Sequence, residues 1–369
     1  MYDFLIVGTG LFGAVFAHEA SQRGKRCLVL EKRNHIGGNV FCENIDGITV
    51  HKYGAHIFHT DNKFIWDYIN RFADFNNYIH SPMANFDGKL YNLPVNMNTF
   101  NTLWSATTPE EARTVIRKQT TGINDPTKNL EKYAVSLFGV DVYEKLIQAC
   151  TEKLWDRKCT DLPAYMLEEF PPNFNFDNNY YSGQYQGIPI GGYNQIIEKM
   201  LAKCDVKLNT DFFADEPRYR HIADKIIYTG MIDQYFNYCY GELEYRSISK
   251  ETETLDIPNF QGNAVINYTS PSASYLRIVE HKHFEFGNQE HTVLTYEYPM
   301  DYAPGAEAYY PVQDEHNLAL FDNYRALAEK ERNVIFGGRL ATFRHLDMDQ
   351  AIASAIETAR LFAPAEVSV

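Results

Sequence analysis

The most constraining feature of this 369-residue chain is Gly8-Thr9-Gly10-Leu11-Phe12-Gly13, set directly after the apolar run Phe4-Leu5-Ile6-Val7. Residues 11–23 carry small and apolar side chains at helical spacing before Cys27-Leu28-Val29-Leu30 resumes a strand. Strand, glycine turn, helix and strand make a βαβ unit. Gly8 permits the tight turn, Gly10 lets backbone approach a pyrophosphate, and Gly13 lets helix pack on strand, with the helix N-terminus facing the anion. Glu31 ends the second strand, where a carboxylate can bind a ribose hydroxyl pair. The motif predicts an α/β chain that opens with a Rossmann-like domain. NAD and FAD both fit this far.

The residues after Glu31 separate the two. Lys32-Arg33-Asn34-His35-Ile36-Gly37-Gly38-Asn39 places a glycine pair just beyond the ribose carboxylate. This resembles flavoproteins of the glutathione-reductase and amine-oxidase type, so FAD is the expected cofactor. Near the C-terminus, Phe336-Gly337-Gly338-Arg339 precedes a helix starting at Asp347-Met348-Asp349, whose positive end suits the polar edge of a flavin.

A chain of this length is expected to divide, since single cores stop growing at about 250–300 residues. Thr60 to Phe72 repeats apolar residues at helical spacing after a Thr cap, and a hairpin is expected through Asp87-Gly88-Lys89-Leu90. Thr108-Pro109-Glu110-Glu111 opens a further helix, and residues 130–150 continue helical with Leu130, Ala134, Leu137, Val142 and Leu146 on one face. Residues 163–189, rich in Pro, Asn and Tyr, read as a loop over a site. Alternation from Glu242 to Tyr298 reads as antiparallel sheet. The expected architecture is a discontinuous FAD-binding domain (1–75, 190–240 and 315–369), an inserted helical domain (98–158), and an antiparallel β-sheet domain (76–97, 159–189 and 241–314). A mobile loop is expected near 163–182.

Lys and Arg total 34 against 48 Asp and Glu, and the balance of −14 opposes nucleic acid or an anionic membrane as partner. No apolar run approaches the roughly 20 residues of a membrane span, and the N-terminus enters a strand without a basic region or cleavage site, so a cytoplasmic protein is expected. The cysteines Cys27, Cys42, Cys150, Cys159, Cys204 and Cys239 include no close pair in sequence, which disfavours a disulfide framework or a zinc site. No metal is expected. Aromatic residues make up 14% of the chain, which suits either ring stacking or an aromatic-rich core.

Nearly the whole chain resembles the UDP-galactopyranose mutase family. The segments that carry the resemblance are IVGTGLFGAV, EKRNHIGGN, HKYGAHIFHT, LPVNMNTF, TEKLW, FDNNYYSGQYQGIPIGGY, NFQGNAVINYT, RIVEHKHF, YYPV and FGGRL with LDMD. The resemblance implies a flavin-dependent isomerase that interconverts pyranose and furanose forms of a nucleoside-diphosphate sugar, UDP-galactose or a relative of it. In that family reduced FAD is the active form, and its N5 attacks the anomeric carbon and expels the nucleoside diphosphate, with no net redox change. It also implies a homodimer.

Carried over by position, the resemblance implies flavin contacts at Gly8, Gly10, Phe12, Gly13, Glu31, Lys32, Gly38, Asn39, His56, Ile57, Asp211, Phe212, Gly338, Arg339, Asp347, Met348 and Asp349. It implies substrate contacts at His80, Thr151, Trp155, Tyr180, Asn267, Arg277, Tyr310 and His345, with His56, Arg277 and Arg339 nearest the chemistry. Arg277 is suited to grip a diphosphate by paired, charge-assisted bonds.

Departures from the family gather where the nucleotide belongs. Glu168 and Glu169 align with a basic pair, and carboxylates beside a phosphate would cost roughly 1–4 kcal/mol per pair. Cys150, Leu154 and Asp156 replace residues that shape the uridine pocket. His345 replaces a tyrosine and His80 an asparagine, changes expected to add positive charge below about pH 6.5. The expectation is unchanged flavin chemistry on a different base or sugar. Two rivals stay open: an FAD-dependent oxidoreductase of the amine-oxidase type, and a non-catalytic flavin-binding protein.

Overall fold

The computed structural model describes residues 1–168, 171–303 and 305–364. Five strands form one sheet in the order Val334–Phe336, Ala223–Tyr228, Tyr2–Val7, Cys27–Leu30, Asp205–Lys207. All neighbours are parallel. Leu5, Ile6, Leu28 and Val29 are fully buried, as a parallel sheet covered on both faces requires. Helices Leu11–Gln22, Asn194–Leu201 and Met348–Phe362 cover one face through Phe16, Ile197 and Ile356. Phe212, Tyr219, Tyr228 and Tyr235 cover the other.

Seven strands form the second sheet: Tyr310–Pro311, Tyr245–Leu255, Thr292–Asp301, Arg277–Glu280, Val265–Tyr268, Met83–Phe86 and Lys89–Asn92. The pairing is antiparallel with one exception. Val265–Tyr268 runs parallel to Met83–Phe86 because the hairpin docks on this edge from a segment far away in sequence. The sheet is therefore mixed where a wholly antiparallel one was expected. Its register places Lys250 opposite Glu297, and Glu297 opposite Arg277, so three charged residues of alternating sign lie abreast across adjacent strands.

The helical unit has its own core, with Phe100, Ala134, Phe138 and Val142 buried. Its helices begin where caps are supplied: Asn96 before Met97–Trp104, Thr108 in a capping box before Pro109–Gln119, and Asn129 before Leu130–Phe138. Each such cap stabilises by about 1 kcal/mol. The helix expected to run through residues 130–150 is broken instead. Gly139 adopts φ 82° after Phe138, and a π-helical turn, Tyr143–Gln148, leads into helix Ala149–Trp155. Helix Lys63–Ile69 is capped by Asn62, not by Thr60, whose hydroxyl donates to Asp349. Strand Tyr185–Gly187 leaves the sheet unit and pairs with Phe58–Thr60.

Candidate active site

A cavity of about 790 Å³ opens at the carboxyl ends of Tyr2–Val7 and Cys27–Leu30, where ligands of open α/β sheets bind. Gly8 has φ +106° and a side chain there would strike the Thr229 hydroxyl; one at Gly13 would strike the Gly8 carbonyl. Gly38, at φ +54°, brings its backbone so near Gly10 that a Cβ would lie 2.8 Å from the Gly10 Cα. The second glycine pair thus presses against the first. Glu31 is held beneath this turn, accepting from Thr9 N–H (3.0 Å), Thr9 Oγ1 (2.6 Å) and Arg33 N–H (3.0 Å). Thr9 occupies both lone pairs of Oε2, and Oε1, bonded only by Arg33 N–H, keeps one for a ribose hydroxyl.

His56 lies at the far end of the cavity on a fixed segment. Its N–H donates to His51 Nδ1 (3.1 Å), and its carbonyl accepts from Tyr193 Oη (3.0 Å). His56 Nδ1 faces the Gly54 carbonyl at 2.6 Å and so carries the proton, which leaves Nε2 as an acceptor. Burial, with Arg339 and Lys250 nearby, pushes the ring pKa down to about 4, so it is neutral at ordinary pH. Arg339 donates to the Tyr309 carbonyl (2.9 Å) and to His345 Nδ1 (3.1 Å). His345 is therefore protonated at Nε2 and presents a donor.

A second cluster adjoins the cavity around Arg277. Arg277 Nε stands 3.2 Å from Glu297 Oε2, and Glu297 is almost wholly buried. Tyr310, Tyr180 and Tyr181 surround the guanidinium closely enough to bias its charge, and Arg277 in turn bears on His80. Tyr180 N–H donates to the His80 carbonyl, and Asn267 is the cross-strand neighbour of Arg277. Helix Ala149–Trp155 holds Thr151 and Trp155 on one face at i, i+4, with the Trp155 ring 6.3 Å from that of Tyr310. Tyr310 stacks on His345 at 5.8 Å, at the open rim of the cavity.

Every flavin candidate lines the cavity except Asp349, which turns away to accept from Thr60 Oγ1 at 2.7 Å. Of the substrate candidates, Tyr310 and His345 line it; His80, Thr151, Trp155, Tyr180, Asn267 and Arg277 form the adjoining cluster. The charge expected on His80 and His345 is not supplied by the surroundings. Burial and Arg277 push His80 down to about 3, and His345, exposed at the rim, is lowered by partial desolvation and by Arg339 beside it. Both act as neutral rings. Glu168 is exposed at the end of a short 3-10 turn, and Glu169 lies outside the described residues. The Leu154 side chain packs with Ile248, Leu276 and Tyr309 rather than facing a base, and Asp156 ends the helix at φ 51°. The Cys150 thiol lies against the Leu146 and Ile147 carbonyls, and burial raises its pKa.

Several neighbours escaped the sequence. His59 and Tyr181 both line the cavity and stack at 3.7 Å. Period-2 alternation from Ile57 would have placed His59 on that side. Lys250 donates to Tyr309 Oη at 2.9 Å and is pushed down to about 8 by burial. Its place depends on strand register with Glu297, for which no local signal exists. Arg33 pairs with Glu307 and donates to Asn39 at 3.0 Å, bracing the cavity wall.

Fold and site define a dinucleotide-binding α/β protein with a second sheet beside the cofactor cavity. The family profile described as UDP-galactopyranose mutase matches residues 145–345, and that of an NAD(P)-binding Rossmann-like domain matches residues 6–72. The chain is 36% identical to a probable UDP-galactopyranose mutase of Klebsiella pneumoniae, over 98% of this chain and 94% of that protein. It is 34% identical to a dTDP-fucopyranose mutase of Escherichia coli, over 98% of each. The crystal structure of a reduced UDP-galactopyranose mutase superposes with a TM-score of 0.77 at 14% identity, covering 97% of this chain and 95% of that one, and shows the shared fold. The chain belongs to the UDP-galactopyranose mutase family. It is an isomerase of the pyranose-mutase class, and its cofactor is FAD.

The residues fit that cofactor. The glycine cradle admits backbone but no side chain, Glu31 is set for a ribose, and Asp347 and Met348 bring a helix N-terminus to the cavity. Among the described residues no group of three His, Cys, Asp or Glu side chains could hold a metal. No helix among them is long and apolar enough to cross a membrane.

Proposed function

We propose that the chain interconverts pyranose and furanose forms of a nucleoside-diphosphate hexose, and that its substrate is not UDP-galactose alone. Reduced FAD, when bound, supplies the nucleophile through N5 to the anomeric carbon. The protein's part is binding, orientation and electrostatics. Arg277 binds the diphosphate, and the neutral His345 adds an Nε2 donor beside Arg339 at the cavity rim. His56 offers a fixed acceptor at Nε2 for a sugar hydroxyl or a flavin N–H. Trp155 and Tyr310 form an apolar wall for the base.

The observation that carries this reading is the position of Arg277, paired with Glu297 and under the electrostatic influence of Tyr181 and Tyr310, which line the cofactor cavity. The substrate reading rests on His345, the altered residue that lines the cavity, and on two relatives of similar identity named for different nucleotides and sugars. Purified protein with dithionite-reduced FAD is to be assayed on UDP-galactose, dTDP-fucose and other nucleotide hexoses, with product ring size read by NMR. Turnover of at least one is expected. Turnover of UDP-galactose alone refutes the altered substrate, and oxygen uptake without ring contraction refutes the mutase.

A further inference from the structure

Helix Ala149–Trp155 follows a π-helical turn, and none of its residues is fully buried, although Leu154 and Trp155 pack against neighbouring cores. Its Lys153 ammonium reaches four backbone carbonyls: Tyr268 (2.8 Å), Ser270 (3.2 Å), Ala273 (3.1 Å) and Tyr275 (3.2 Å). Tyr268 ends strand Val265–Tyr268, and the other three belong to the turn that joins it to strand Arg277–Glu280. An ammonium has three donors, so the carbonyls share them. Among the described residues no carboxylate lies within ion-pair distance of Lys153; carbonyl dipoles hold it. At the helix end, Arg246 Nε donates to the Leu154 carbonyl at 2.7 Å, and its guanidinium pairs with Asp301.

This side chain ties the helix to the turn, beside the packing of Leu154 on Leu276 and the Arg246 bond to the Leu154 carbonyl. The helix carries Thr151 and Trp155; the strands flanking the caged turn carry Asn267 and Arg277. We propose that Lys153 is a positioning residue that sets the spacing between the Trp155 helix and the Arg277 strand, and with it the width of the nucleotide subsite. The role rests on the substrate-binding reading above. Lys153 lies outside the cofactor cavity, so its loss acts on nucleotide rather than on FAD. The lowered pKa that burial gives the ammonium agrees with a site where carbonyls, not water, surround it.

Removing the side chain leaves four converging carbonyls, a cage suited to ammonium or potassium. Lys153→Ala opens that cage, and Lys153→Met fills it without charge. Both are compared with wild type in sodium buffer, with UDP and dTDP as binding probes and flavin absorbance as the cofactor readout. The expected result is a fall of about tenfold or more in nucleotide affinity and a matching rise in KM, with FAD content and Tm retained and kcat less affected. Ammonium chloride restores Lys153→Ala but neither Lys153→Met nor wild type. Unchanged nucleotide affinity, or a loss that ammonium does not restore, overturns the proposal.

Should wild type bind neither nucleotide and turn over no nucleotide sugar, the functional reading falls first. The cage is then judged by hydrogen exchange in residues 268–275. Lys153→Ala accelerates that exchange and ammonium slows it again if the lysine positions the turn; equal exchange in both proteins refutes it.

Discussion

The two halves of the site are built in different ways. The cofactor half is made of backbone: Gly8, Gly13 and Gly38 sit where a side chain would strike a neighbouring residue, and both backbone groups of His56 are bonded. The proposed substrate half is made of side chains drawn from distant segments, with Tyr310 and Tyr180 bearing on Arg277 and the Trp155 ring 6.3 Å from that of Tyr310. A backbone cradle tolerates little change, whereas a side-chain cluster can be rewritten without refolding the chain. That difference accounts for an intact glycine cradle beside an altered residue at 345.

The sharpest way to break the contrast is at Gly13. In Gly13→Val the new side chain collides with the Gly8 carbonyl, so the turn must open and the helix must move off the strand. FAD affinity is expected to fall at least a hundredfold, about 3 kcal/mol, and the purified protein to lack flavin absorbance. Retained flavin would mean that the cradle is not rigid.

Next in size is Arg277→Met. Turnover (kcat/KM) is expected to fall by roughly two to three orders of magnitude, because the cation for the diphosphate is gone, while flavin absorbance stays unchanged. Stability falls as well, by about 3 kcal/mol, since Glu297 is left buried without its partner. Adding Glu297→Gln recovers stability but not turnover. Recovery of both would show that Arg277 serves the fold alone.

The same contrast governs what the sequence disclosed. The cofactor half was legible because its determinants are local: glycines at fixed offsets, a carboxylate at a strand end, a second glycine pair a few residues on. The pressing of Gly38 onto Gly10 gives that spacing its physical reason. Asp349 was misplaced because helix phase decides its direction, and Thr60 claims it. In the substrate half the residue types could be named but not their protonation. A histidine in place of an asparagine reads as a new charge, yet His80 is enclosed beside Arg277 and stays neutral. Lys250 and Glu297 were invisible because only the register of strands that are distant in sequence sets them abreast.

That neutrality has a measurable consequence in both halves. Burial pushes His56 down to about 4, and His80 and His281 down to about 3, all below the ordinary value near 6.5. Between those limits the unfolded chain binds protons that the folded chain refuses. Their contribution to stability is therefore complete above about pH 6.5 and is lost as pH falls towards the folded values, by at most about 1.4 kcal/mol per pH unit for each ring. Denaturant titrations from pH 7.5 to 5 should show this slope, and His80→Asn should reduce it by one ring's share. Nucleotide affinity should not rise below pH 6.5; a rise would show that His80 or His345 becomes charged against the diphosphate.

The smallest effect is expected at Glu168, and its size decides how the substrate half closes. Glu168 is exposed, and its N–H is bonded back to the Tyr165 carbonyl in its own turn. An exposed charge acts on a phosphate through screened water, and such pairs contribute about 0–1 kcal/mol. Glu168→Arg should therefore lower KM less than about fivefold, and high salt should erase the gain. Arg277, Arg339 and the neutral donor of His345 then suffice for the diphosphate. A gain of two orders of magnitude would mean that residues 163–182 fold down over the substrate and exclude water. In that case Glu168 weakens a clamp that this chain still operates, and the substrate half is as dependent on its loop as the cofactor half is on its glycines.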